Sequence, residues 1–328
     1  MKSLMSRRSF ALNSVALGAA MGMPGMGFAQ SFPDKSKTIK GIVPYSAGAT
    51  VDTLARAYAQ AMSEVLGTNV VIDNRPGAEA VIGIQAAKSA PADGYTILFT
   101  SVSTQSVNPH LFKQLTYDPV KDFVPLGGTM KVPFLMIVGP NLPYKSVKEF
   151  VAAAKAQPGK LSYASVSATT KLAGEMFARA AGIKLLNIPY KNFADLISDT
   201  LANRVSCFFA DGGAITPYAA QGMRGMAACT KTRLARFPDV PTMEQEGIDF
   251  QLFGWHAAYA PANTPPAALA VLRDALRKAE GSKVVKDYFA MGGTEPMNLI
   301  GDDFAAFERA EYDRWGKAVR DAGLAGTM

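Results

Sequence analysis

The sequence predicts an α/β protein of two similar lobes, each a mainly parallel sheet flanked by helices. Three observations carry this expectation. Short apolar runs alternate with amphipathic helical stretches from residue 38 onward. The alternation occurs in two sets, joined by extended segments. A late apolar strand and three helical stretches follow the second set and are expected to return to the first lobe.

TIKGIVPY (38–45) reads as a buried strand. Residues 50–66 read as a helix, with Val51, Leu54, Ala55, Tyr58, Met62 and Val65 on one face. NVVIDNRP (69–76) is a second strand, stopped by Pro76-Gly77, and 79–89 is a short helix. ADGY (92–95) is a turn before the third strand, TILFTS (96–101). This β-α-β-α-β order implies parallel pairing with right-handed crossovers. VPFLMIVGP (132–140) reads as the strand that opens the second set, and the helix at 145–157 ends at Pro158-Gly159. LSYAS (161–165), LLNIPY (185–190), VSCFFAD (205–211) and RGMAACT (224–230) read as strands, with a helix at 171–182. FPDVPTMEQEG (237–247) is a Pro-bearing connector, and GWHAAYAP (254–261) is the late strand. Residues 265–281, 282–291 and 301–322 read as helices. The expected division is 30–131 plus 253–328 for lobe 1 and 132–252 for lobe 2. Ligands of such sheets sit at the carboxyl ends of the strands, opposite helix N-termini, which here is the cleft between the lobes.

The 328 residues are 48% hydrophobic and 19% charged, enough apolar material for one large or two medium domains. Residues 1–29 are set apart. They carry Lys2, Arg7 and Arg8, no acid, a weakly apolar run and the small-x-small triplet Gly27-Phe28-Ala29. These features predict an export signal peptide, and SRRSFAL gives it the twin-arginine pattern. Without that segment 31 basic residues face 27 acidic ones, a net charge near +4. That balance does not point to nucleic acid and modestly favours anionic ligands. Residues 250–272 lack charge, but Pro261, Pro265 and Pro266 interrupt them, so no membrane span is expected there. Cys207 and Cys229 are the only cysteines. They are open to two readings, a disulfide in an oxidising compartment or two small buried apolar residues, and their spacing suggests no metal site.

Signals of catalysis are weak. The two histidines are His110, in NPHLF, and His256, inside an apolar strand beside Trp255. No G-x-S-x-G elbow, H-E-x-x-H, Walker loop or G-x-G-x-x-G occurs, so no nucleophile–base pair is visible. What recurs is a strand, a loop of small and hydroxyl residues, and a helix start: YSAGAT (45–50), TSVSTQS (100–106), YASVSATT (163–170) and ADGGAIT (210–216). Helix starts offer free backbone N–H groups and partial positive charge, and small residues let an anion approach them. Thr50, Thr170 and Thr216 are alternatively plain helix caps. Asp52, in a first helical turn, is expected to hold its loop. Asp211 either accepts from a ligand amine or hydroxyl or pairs with a cation. Tyr45 and Tyr190 end strands, where each either covers a ligand or packs on neighbouring loops. Arg75 is either a carboxylate fork or a tie for its strand end.

Together these stretches resemble the periplasmic solute-binding proteins of the tripartite tricarboxylate transporter system, the Bug family. The resemblance rests on PYSAGATVDTLAR (44–56), VIDNRPGAEAVIG (71–83), PADGYTILF (91–99), VNPHLFKQLTYDPVKDFVPL (107–126), LAGEMF (172–177), IPYK (188–191) and RFPDVPTMEQEG (236–247), in family order and spacing. It covers nearly all of 37–328. It implies a periplasmic-binding-protein (Venus flytrap) fold that closes on a small carboxylate: a di- or tricarboxylate, an acidic amino acid or an aromatic acid. It implies delivery to a large and a small membrane subunit of a secondary transporter, with no catalysis and no cofactor. The expected state is a periplasmic monomer. The resemblance places ligand contacts at Tyr45, Ser46, Ala47, Gly48 and Ala49, at Ser101 and Thr104, at Ser165, Ser167, Ala168 and Thr169, and at Tyr190 and Asp211. A binding protein serving a sensor or another transporter type is the alternative, and a periplasmic enzyme on the same scaffold a more distant one.

The sequence also departs from the family pattern. The usual P-G-G of the first loop is Ala47-Gly48-Ala49, NRPGAGG becomes NRPGAEA with Glu79, and PYKG becomes PYKN with Asn192. The loop before LAGE is shorter, lacks glycine and ends in Lys171, which either adds positive charge near the cleft or is simply solvated.

Overall fold

A computed structural model of the chain describes residues 32–292 and 294–328; the expected export signal at 1–29 lies outside them. One sheet contains β1 (Ile39–Val43), β2 (Val70–Asn74), β3 (Thr96–Ser101), β4 (Phe123–Pro133) and β10 (Phe253–Pro261), in the order β2-β1-β3-β10-β4. The other contains β5 (Leu135–Val138), β6 (Ser162–Ser165), β7 (Leu186–Pro189), β8 (Cys207–Ala210) and β9 (Arg224–Ala228), in the order β7-β6-β8-β5-β9. In the first, β2, β1 and β3 pair in parallel, while β10 runs antiparallel between β3 and β4. The second repeats this, with β7, β6 and β8 parallel and β5 antiparallel between β8 and β9. The reversed strand of each sheet is the one the chain delivers on arriving from the other sheet.

The crossing at β4–β5 corrects the sequence reading. Residues 132–140 are not one strand: Val132 and Pro133 end β4 against β10, Phe134 turns, and Leu135 begins β5. Most of β4 carries no strand signal in the sequence, because Gly127-Gly128 interrupts its apolar pattern. The glycines are needed for packing. A Cβ on Gly128 would lie 2.2 Å from Met297 Sδ, and one on Gly127 2.6 Å from Ile300.

Helices cover both sheets. α1 (Thr50–Leu66) buries Leu54, Tyr58 and Met62 and ends at Gly67, whose φ of 65° is the left-handed cap conformation. Val65, expected on the buried face, is 40% exposed, and Leu66 takes its place. α2 (Val81–Lys88) and α3 (Asn108–Leu111) follow in the first lobe, with a π-helical turn at Ser103–Val107 directly before α3. α4 (Val147–Ala156), α5 (Ala168–Ala180) and α6 (Phe193–Leu201) belong to the second set. α7 (Pro266–Glu280), α8 (Lys283–Gly292) and α9 (Asp302–Asp321) return to the first sheet and to α1. Trp255 packs edge-to-face on Phe304 of α9, with ring centroids 5.5 Å apart. Phe177, Phe209 and Phe250 form the corresponding cluster in the second lobe. Each such buried ring contributes on the order of 2–3 kcal/mol. Cys207 and Cys229 are both free thiols and both buried, within or beside sheet strands.

Candidate functional site

The carboxyl ends of the parallel strands deliver their loops to one cleft between the two sheets. Residues 44–49 lead from β1 into α1, the π-helical turn follows β3, Val166 and Ser167 join β6 to α5, and Asp211 follows β8. Hydrogen bonds cross the cleft. Thr50 donates through Oγ1 to Asp211 Oδ2 at 2.8 Å, and Ser103 Oγ lies 2.6 Å from Thr169 Oγ1.

The first loop is held from beneath. Asp52 is 2% exposed and accepts from the Gly48 N–H at 2.8 Å and from Asn74 Nδ2 at 2.8 Å. Arg56 pairs with it at 3.0 Å, and Asn74 also donates to the Tyr45 carbonyl at 3.0 Å. The carboxylate is thus turned into the loop, where it complements the helix dipole, as the sequence suggested. Ala49 is the N-cap of α1 and offers no side-chain cap, so first-turn N–H groups of α1 stay available to a ligand. α5 differs. Ser167 and Thr170 form a reciprocal capping box at its start, which begins the helix at Ala168 rather than at 171.

Two cavities occupy the cleft. The larger, about 740 Å³, is lined by Tyr45, Ser46, Ala49, Glu79, Ser103, Ser167, Tyr190 and Asn192 among others. The smaller, about 110 Å³, lies between Tyr45, Thr50, Ser101, Thr169, Asp211, Trp255 and His256. The larger is of the size that small-ligand sites usually have. Of the expected contacts, Tyr45, Ser46, Ala49, Ser101, Ser167, Thr169, Tyr190 and Asp211 therefore line this cleft. Ala47 and Gly48 sit at the tip of the first loop, outside both linings. Thr104 is fully buried, with its hydroxyl 2.8 Å from that of Thr100, because the π-helical turn carries it into the first lobe. Ser165 donates to Asn187 Oδ1 at 2.8 Å, within its own sheet, and Ala168 is buried in α5.

The tyrosines divide. Tyr45 reaches Ser101 Oγ at 2.7 Å, and burial pushes its hydroxyl above the usual tyrosine range. Tyr190 presents its ring to the larger cavity but donates its hydroxyl to Asp199 Oδ2 at 2.7 Å. Arg75 pairs with Asp73 at 3.0 Å, which ties the end of β2. Asp211 also accepts from the Gly213 N–H at 2.8 Å. Burial raises its pKa, and the Thr50 hydroxyl and nearby backbone N–H groups oppose that rise.

Glu79 is a residue that sequence reasoning noted only as a departure from the family pattern. Ala78, Glu79 and Ala80 adopt φ values of 48°, 50° and 73°, three consecutive left-handed positions without a glycine. Each such position costs on the order of 1 kcal/mol. The run turns Glu79 into the larger cavity. No local sequence pattern signals this; only the unexpected acid in a glycine-rich motif did.

His256 is 7% exposed, and burial lowers its pKa to about 3, so it is a poor proton acceptor at neutral pH. Its Nδ1 and the Trp255 Nε1 are buried without hydrogen-bond partners among the described residues. Among the described residues no cluster of His, Cys, Asp or Glu is arranged to hold a metal ion, and no helix is long and apolar enough to cross a membrane.

Two lobes, two chain crossings and a polar cleft at the strand ends define a protein of the periplasmic-binding class. Residues 54–324 match the family described as the tripartite tricarboxylate transporter family receptor, and the chain belongs to that family. Protein BugT of Bordetella pertussis is 32% identical over 300 residues, covering 90% of this chain and 91% of BugT. A UPF0065 protein of Cupriavidus necator is 31% identical over 99% of this chain and 98% of its own length. Among solved structures, the periplasmic binding protein BugD superposes with a TM-score of 0.83 at 28% identity, over 88% of this chain and 98% of BugD. Rpa4515 of R. palustris, solved with adipate, gives a TM-score of 0.84 at 29% identity, over 90% of this chain and 99% of its own.

Proposed function

We propose that this protein is an extracytoplasmic receptor that captures a small carboxylate in the cleft and presents it to a membrane transporter of the tripartite tricarboxylate type. One observation carries the reading: hydroxyl-rich loops and two helix starts from different lobes converge on one cavity of about 740 Å³. A ligand carboxylate takes the uncapped first turn of α1 and the Ser and Thr hydroxyls around it. The adipate found in Rpa4515 supports the ligand class. The chain crosses between the sheets at Phe134 and again between Leu252 and Phe253, and these two crossings serve as the hinge, so ligand binding favours closure. The closed form is the signal read by a large and a small membrane subunit. The receptor binds without turnover, acts as a monomer in the periplasm, and reaches it through the segment at 1–29.

The test is thermal unfolding of ligand-stripped protein against aliphatic di- and tricarboxylates, acidic amino acids and aromatic acids, with neutral amides as controls. A ligand at a hundred times its Kd adds about 2.7 kcal/mol, a shift of several degrees in Tm. A shift with an acid and none with its fully amidated form is expected. Equal shifts with acids and amides, or none at all, would sink the carboxylate reading.

A further inference from the structure

A seat built for a carboxylate has no need of a carboxylate of its own, yet Glu79 supplies one. We propose that Glu79 is the specificity-determining residue of this cleft, selecting a small acid that carries an ammonium or amide N–H donor at its other end. This rests on the receptor reading above and deepens it.

Glu79 lines the same cavity as Tyr45, Ser46, Ser167 and Tyr190, so whatever occupies that cavity meets its carboxyl. Its Oε2 is buried and has no hydrogen-bond partner among the described residues. A buried acceptor left unpaired is costly, and a ligand donor that reaches it removes the cost. The geometry that creates this situation is maintained rather than avoided. Asn108 Nδ2 donates to the Glu79 carbonyl at 3.0 Å and pins the residue inside its left-handed run. The bond holds the backbone from which the side chain projects at the cavity wall.

The surroundings compensate it only in part. The Ala168 N–H and the charge of Lys171, both of α5, favour the ionised carboxyl, but burial outweighs them. An ammonium would tip this balance towards the ionised form and gain a charge-assisted hydrogen bond. A second ligand carboxylate would instead meet this acidic group and would have Lys191, on the same cavity wall, as its one cation there. Asp211 lines only the smaller cavity, and its oxygens are engaged by Thr50 and Gly213. The cleft is therefore asymmetric, with helix N–H groups at the α1 end and a free acceptor at the 78–80 end.

The experiment compares ligands that differ only at one end: adipate with 6-aminohexanoate, and succinate with 4-aminobutyrate, by calorimetric titration of the purified, ligand-stripped chain. The wild type is expected to bind the amino acid of at least one pair ten or more times tighter than the diacid. Glu79→Gln is expected to abolish that preference, as is Glu79→Gly, which suits the left-handed backbone and guards against a folding artefact. Circular dichroism checks both variants. A diacid bound more tightly by the wild type, or a preference unchanged in both variants, overturns this inference and leaves the carboxylate receptor standing. Failure of every acid to bind overturns the receptor reading and this one with it.

Discussion

Asp52 and Asp211 are both buried carboxylates beside the cleft, and their environments give them different work. Asp52 is saturated by Gly48, Asn74 and Arg56, so it shapes the first loop. Replacing it with Ala strands those donors and is expected to cost about 3 kcal/mol, read as a lowered denaturation midpoint, together with weaker ligand binding. Asp211 instead joins the lobes through Thr50. Its pKa is raised by burial, so the folded protein holds its proton more firmly than the unfolded chain. Its contribution to stability is thus complete below the ordinary aspartate range and is lost as pH rises through its folded value. The strained run around Glu79 makes a further prediction. Ala80 has a φ of 73°, and Ala80→Gly is expected to raise stability by up to about 1 kcal/mol, a gain of about 2 °C in Tm.

The elements of the cleft were legible to different degrees. The strand–loop–helix units at 38–66 and 161–182 were visible because apolar periodicity and hydroxyl-rich helix starts are local signals. The π-helical turn after β3 was not, and Thr104 therefore lies inside the lobe rather than on the cleft. β4 was hidden by two glycines whose reason is contact with Met297 and Ile300, remote in sequence. Cross-lobe pairs are equally invisible in sequence, since Ser103 and Thr169 meet only through tertiary structure. That pair supports a prediction about α5 and the π-helical turn as units. Thr169→Val removes a hydrogen bond worth about 1 kcal/mol and should shift the lobes about fivefold towards the open form. Small-angle scattering would show a larger radius of gyration in the absence of ligand, ligand titration a raised Kd, and denaturation an unchanged unfolding cooperativity.

For the molecule as a whole, pH dependence also arises away from the cleft. Glu308 accepts from Tyr259 at 2.6 Å, and burial lifts its pKa from 4.5 to about 7. Glu280, beside Tyr58, is also lifted to about 7, again chiefly by burial. Folded pKa values above the unfolded ones mean that the contribution of these two groups to stability is fully present below about 4.5 and is lost as pH rises through about 7. For Glu308 the effect is on the order of 3 kcal/mol. Calorimetric scans of Glu308→Gln should lose part of this slope; an unchanged profile would refute the assignment.

The double crossing between sheets sets an order of assembly. Every strand of the second sheet lies between Leu135 and Ala228, so a growing chain can finish that sheet early. The first sheet stays open, with β3 and β4 unjoined, until Phe253–Pro261 emerges and is laid between them. A chain truncated after residue 252 is thus expected to yield a protease-resistant core from the second lobe alone, while its N-terminal hundred residues are digested. The last strand made is the one that fastens the molecule, and a receptor stalled before it would carry half a fold and no cleft.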